Sequence, residues 1–158
     1  MQEEMNFTIR PARPKEADKL TDIALAAKRH WGYPEEWMAL WLSELECTPE
    51  FVSKDHVCCA EVNGDLAGFY SVIEDNGIWS VEDFWVHPTH MGCGIGRRLF
   101  LHAVDFVAES GGKTLRVVSD PNAESFYVKM GARRIGYVSS KPEGRQLPLL
   151  EVTIKEKH

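Results

Sequence analysis

The chain has no apolar run approaching the roughly 20 residues that a membrane-spanning helix needs, so no membrane association is expected. Its four cysteines, Cys47, Cys58, Cys59 and Cys93, form no Cys-x-x-Cys pairs, and neither a metal site nor a disulfide framework is indicated. The opening Met1-Gln2-Glu3-Glu4 lacks the basic and apolar parts of a secretion signal, which points to a cytoplasmic protein. No repeat or low-complexity tract divides the sequence, and 158 residues with 44% hydrophobic content suit a single domain over residues 1–158. Positive charge is scarce, with 18 Lys and Arg against 24 Asp and Glu and a formal net charge of −6. That balance argues against a nonspecific nucleic-acid binder and mildly favours a cationic substrate such as an amine.

What is present is a glycine-punctuated loop, Met91-Gly92-Cys93-Gly94-Ile95-Gly96-Arg97-Arg98, after Val86-His87-Pro88. Ile95, Leu99, Ala103 and Val107 then recur at four-residue intervals, the spacing of one helix face on a core. A helix start leaves backbone N–H groups unpaired and carries partial positive charge, so it receives phosphates readily. Glycines let a ligand reach those amides and supply positive φ. Arg97 and Arg98 oppose the helix dipole unless an anion sits nearby. The loop lies past mid-chain, after several strand-like segments, and lacks the Lys-Ser or Lys-Thr ending of a nucleotide-hydrolase loop. Neither that chemistry nor dinucleotide-dependent hydride transfer fits.

The remaining chain reads as α/β. A strand at residues 7–10 is stopped by Pro11 and Pro14, and a helix runs from Lys15 to about Lys28. His30-Trp31-Gly32-Tyr33 makes a turn. A second helix opens at Pro34-Glu35-Glu36, with Trp37, Trp41 and Leu45 on one face. Residues 57–62, 66–73 and 78–86 form an antiparallel meander joined at Asn63-Gly64-Asp65 and at Glu74-Asp75-Asn76-Gly77. A strand at residues 114–118, a helix at 121–130 capped by Asp120, and strands near 135–139 and 149–154 complete helices over a mixed, mostly antiparallel sheet.

These motifs resemble the GNAT superfamily of acetyl-CoA-dependent N-acetyltransferases. The family's cofactor loop reads Gln/Arg-x-x-Gly-x-Gly/Ala after a Val-x-Pro strand end, and here Met91 stands at the Gln or Arg position. A second block, Asp120-Pro121-Asn122-Ala123-Glu124-Ser125-Phe126-Tyr127-Val128-Lys129-Met130-Gly131-Ala132, resembles the family's Asn-x-x-Ala-x-x-Phe-Tyr-x-x-x-Gly-Phe, with Asp120 in place of Asn and Ala132 in place of Phe.

The resemblance implies a GNAT-like fold and acetyl-CoA as cosubstrate. It implies cofactor contacts from Phe84, Trp85, Val86, Met91, Gly92, Cys93, Gly94, Ile95, Gly96, Arg97, Asn122 and Ser125, and direct transfer in a ternary complex. Tyr127 matches the tyrosine that protonates the departing thiolate. An ammonium must lose a proton before it attacks, and Glu82 is the candidate base. Ser80 and Glu82 share one strand face by simple alternation and Asp83 takes the other, so one carboxylate would look into a given cleft. Trp31 and Tyr33 are the candidate acceptor wall, since aromatic faces attract cations. The acceptor is a small-molecule or peptide amine. A noncatalytic acyl-CoA sensor and an enzyme acting on protein amines stay open, and so does a homodimer, for which residues 145–150 could supply an edge.

Overall fold

Two Asn-Gly pairs set the register of the first half of the sheet. Asn63 and Gly64 have φ of 51° and 86°, and Asn76 and Gly77 have 51° and 82°. A two-residue hairpin matched to strand twist needs positive φ at both positions. The turns join β2 (His56–Val62), β3 (Asp65–Asp75) and β4 (Ile78–Val86) as an antiparallel meander, flanked by β1 (Phe7–Pro11) on the outer side of β2. The computed structural model describes residues 7–155, so the polar N-terminal residues discussed above lie outside the described residues. The sheet continues through β5 (Thr114–Val118), parallel to β4, and then β7 (Arg145–Thr153) and β6 (Arg133–Ser140). Its order is β1-β2-β3-β4-β5-β7-β6.

Helices cover both faces. On one face α1 (Ala17–Arg29) and α2 (Glu35–Leu45) bury Leu20, Ile23, Met38 and Trp41 against Phe69. On the other, α4 (Ile95–Glu109) buries Leu99, Phe100, Ala103 and Val107 against β3 and β4. Each of the larger side chains contributes about 1.5–3 kcal/mol of transfer free energy. The short α5 (Glu124–Lys129) adds Tyr127 to this second core. Between α2 and β2 the chain forms α3 (Pro49–Lys54), an element not expected from periodicity. Its signal was present: Thr48 caps the Phe51 N–H through Oγ1 at 3.1 Å, and Pro49 follows at the first helical position.

Beneath α4 the fully buried Tyr70 joins two histidines. Its hydroxyl lies 2.6 Å from His102 Nδ1 and 3.0 Å from His56 Nε2. One hydroxyl proton serves one imidazole, so the other ring donates to the same oxygen. His56 also stacks on Phe106 at 3.5 Å between ring centroids. Burial, with His102 adding repulsion, holds His56 below the ordinary imidazole value of 6.5. The folded state therefore binds fewer protons here than the unfolded chain. This contribution to stability is complete above about pH 6.5 and is lost as pH falls through the depressed folded value. Thermal melts across pH 5 to 8 are expected to show a melting temperature that declines below pH 6.5, with a shallower decline in His56→Phe.

Candidate active site

The sheet parts beside β4. Pairing between β4 and β5 covers only residues 79–81, whereas pairing between β3 and β4 continues to Val86. The His87 N–H donates to the Ala67 carbonyl at 2.8 Å. Alternation along the strand turns the N–H groups of Phe84 and Val86 the opposite way, into the opening that β5 has left. Gly68 makes this close approach of β3 and β4 feasible, because a Cβ there would lie 2.7 Å from the Trp85 carbonyl oxygen.

A bulge sits at the point of divergence. Ser71 faces Asp83 and Val72 faces Val81, which leaves Glu82 as the extra residue on β4. An extra residue shifts the alternation of every side chain beyond it. Trp79, Val81, Phe84 and Val86 consequently pack on the α4 core, while Trp85 packs on the α1–α2 core. Asp83 joins Ser80 and Glu82 on one cavity wall. The expectation that Asp83 faces away from Glu82 is thus corrected: simple alternation takes no account of the bulge. Asp83 accepts from Ser71 Oγ at 2.8 Å and from Trp85 Nε1 at 3.4 Å. Burial raises it above the usual carboxylate range against those two hydrogen bonds. Burial, then the charges of Asp83 and Asp55, raises Glu82 as well.

Above the opening, Gly92 and Gly94 take φ of 81° and 84°, and Gly94 caps α4 without a side chain. The first helical bond joins the Arg98 N–H to the Gly94 carbonyl, so the amides of Ile95, Gly96 and Arg97 have no acceptor within the helix. The two arginines separate. Arg98 lies over the Phe7 ring at 5.6 Å, whereas Arg97 lines the cleft with Met91, Gly92, Gly94 and Gly96.

This cleft, about 450 Å³, runs from the glycine loop down the parted strand to Glu82. It is walled by Phe84, Trp85, Val86, Phe126, Tyr127 and Asn122. Tyr127 is 5% exposed and packs among Phe84, Phe100 and Phe126, and its hydroxyl has no hydrogen-bond partner among the described residues. Burial, assisted by the charge of Asp120, raises its pKa well above that of a free phenol. A second cavity, about 520 Å³, adjoins the first. Val81, Glu82, Trp85, Val118 and Asp120 line both.

Some expected residues lie elsewhere. Ser125 is exposed and does not line the cleft. Cys93 is exposed, and its thiol lies 3.9 Å from the Met91 carbonyl. Ile95 is wholly buried beneath the loop. Their side chains are therefore not cleft-lining groups, which leaves the backbone as what Cys93 and Ile95 can offer. Trp31 lines the cofactor-type cleft rather than the second cavity, and Tyr33 lines neither.

Tyr33 belongs instead to a polar hub centred on Asp120, which does more than cap the turn that follows it. Asp120 accepts from Lys28 Nζ at 2.6 Å, Tyr33 Oη at 3.0 Å and the Asn122 N–H at 2.9 Å. Asn122 Nδ2 reaches both Asp120 and Tyr33, and Arg145 Nη2 donates to Tyr33 Oη at 3.0 Å. Lys28 lies over Trp41 and Tyr33, and Arg145 lies over Tyr33, Trp37 and Trp41. Of the two aromatics expected to receive a substrate cation, Tyr33 already holds the protein's own cations. Lys28 and Arg145 were not picked out from the sequence. Leu20, Ala24 and Lys28 are spaced four apart, a signal that places Lys28 on the buried face of α1.

A sheet parted at a bulge, with a helix-start amide cradle over the gap, defines the GNAT fold. The chain belongs to the acetyltransferase (GNAT) family, whose sequence model matches residues 18–132. It is 40% identical over 87 residues to the streptothricin acetyltransferase of Streptomyces lavendulae, covering 52% of this chain and 46% of that protein. The chain spans less than half the length of the curated relatives it matches. Among solved structures, the PaiA N-acetyltransferase of Thermoplasma acidophilum, in complex with coenzyme A, superposes with a TM-score of 0.76 at 18% identity over 94% of this chain and 99% of that one. A nourseothricin acetyltransferase superposes at 0.60 with 29% identity over 65% and 68%. No helix among the described residues is long and apolar enough to cross a membrane, and no group of three or more His, Cys, Asp or Glu among them could hold a metal ion.

Proposed function

We propose that this protein is an acetyl-CoA-dependent N-acetyltransferase that acetylates a primary amine of a small molecule by direct attack in a ternary complex. The observation that carries this reading is the contact of two cavities across Glu82. One has the amide cradle suited to a pyrophosphate, and the other is lined by carboxylates suited to an amine. Membership of the GNAT family and the 40% identity to a streptothricin acetyltransferase support it.

Bound acetyl-CoA supplies an activated acyl carbon, to which the amine nitrogen bonds as the carbon–sulfur bond breaks and its electron pair leaves on sulfur. The loop amides of residues 95–97 and Arg97 hold the pyrophosphate. The apolar wall of Phe84, Val86 and Phe126 takes the pantetheine arm. The Phe84 and Val86 N–H groups face the gap where negative charge grows on the carbonyl oxygen. Glu82, raised by burial and by Asp83, is poised to take the ammonium proton directly or through water. Tyr127 Oη gives its proton to the sulfur.

Calorimetry with acetyl-CoA, followed by CoA release with streptothricin, polyamines, aminoglycosides, amino acids and peptides, tests the assignment. Acceptor-dependent release is expected, with Glu82→Gln lowering kcat/KM about 10–100-fold and flattening the acidic limb of its pH profile. Binding without any release would favour a noncatalytic acyl-CoA sensor. Absence of binding would overturn the reading.

A further inference from the structure

Arg145 lines the second cavity with donors to spare. Its side chain is 11% exposed, yet a guanidinium keeps its charge and presents five N–H donors. Nη2 donates to Tyr33 Oη at 3.0 Å. Nη1 and Nε have no partner among the described residues. The nearest carboxylate, Asp120, stands 3.9 Å away and is already occupied by Lys28, Tyr33 and Asn122. Arg145 Cζ lies over the rings of Tyr33, Trp37 and Trp41 at 4.7–5.8 Å from their centroids. A nearly buried fork, packed among aromatic rings and with free donors, is a site for an oxygen-bearing anion.

The same cavity holds Glu82 and Asp83, which make no ion pair with Arg145 among the described residues. Opposite charges that share a cavity without pairing are complementary to a ligand carrying both. We propose that Arg145 binds a carboxylate on the acceptor, so that the substrate is an amino acid whose amine is directed to Glu82 and Asp83. A doubly charged phosphate suits the site less, because Glu44, Glu82 and Asp83 line the same cavity. A plain diamine would leave the Arg145 donors unmet. This proposal rests on the acetyltransferase reading above.

Matched acceptors differing by one carboxylate provide the test: lysine against cadaverine, ornithine against putrescine, and β-alanine against ethylamine. At least one carboxylated member is expected to exceed its partner by about 100-fold in kcat/KM. In Arg145→Gln that ratio should fall to about threefold, and Arg145→Lys should restore part of it, since the charge returns without the fork. Acetyl-CoA affinity, measured by calorimetry, should stay unchanged in both variants, because Arg145 does not line the cofactor-type cleft. Equal or better use of the decarboxylated members overturns the proposal, as does acetyl-CoA binding with no turnover of any pair. If Arg145→Gln fails to fold, the ratios of the unaltered protein decide the question. Failure of that protein to bind acetyl-CoA would instead remove the underlying acetyltransferase reading.

Discussion

Tyr127→Phe is expected to lower kcat about 100-fold while leaving acetyl-CoA affinity within about threefold. The substitution removes one oxygen and keeps the ring, which sits 5.2–5.8 Å from the centroids of Phe84, Phe100 and Phe126. The hydroxyl has no protein partner to strand among the described residues, so the melting temperature should hardly move. Burial and the Asp120 charge keep the phenol protonated across the physiological range, which is the state required of a proton donor to a leaving sulfur. Steady-state CoA release beside calorimetry separates the two effects. An unchanged kcat would reduce Tyr127 to a packing residue of the aromatic cluster.

Much of this arrangement is legible in the linear sequence because its cues are local. Asn63-Gly64 and Asn76-Gly77 announce positive φ within two residues, and the four-residue spacing from Ile95 to Val107 announces α4. Gly92 and Gly94 mark the cradle for the same reason: their φ values are written in the residue type. The less legible features are those made by counting or by distance. A single extra residue at Glu82 reverses the side-chain alternation of β4, and no property of Glu82 itself advertises a bulge. Tyr33 reads as a substrate wall when seen beside Trp31. Its hydroxyl is instead claimed by Asp120 and Arg145, partners 87 and 112 residues away. Periodicity carries no information about such pairings. The helix face carrying Lys28 can be read from spacing, but the carboxylate that allows a lysine to be buried there cannot.

That burial sets the second large expectation: Asp120→Ala should destabilise the fold by about 3–5 kcal/mol, because it strands a charge taken out of water. Lys28 and Asp120 have side chains only 9% and 8% exposed, with 2.6 Å between Nζ and Oδ2. Burial depresses Lys28 against the pull of Asp120. For Asp120, burial acts upward, but the hydrogen bonds from Lys28, the Asn122 N–H and Tyr33 outweigh it and hold the carboxyl below its ordinary range. Removing the carboxylate leaves the ammonium against Trp41 and Tyr33, whose faces offset part of the loss. A Lys28→Met, Asp120→Ala double variant should recover much of the stability, since no unpaired charge remains. Urea unfolding of the four proteins in the cycle measures the coupling, and simple additivity would mean that the pair contributes nothing. The Asp120 side chain also joins α1 to the start of α5 and touches both cavities. Its loss should therefore lower kcat as well, even at temperatures where the single variant remains folded. A Lys28→Met, Asp120→Ala protein that is stable yet slow would assign Asp120 to positioning Tyr127 relative to Glu82, separately from its part in holding the fold.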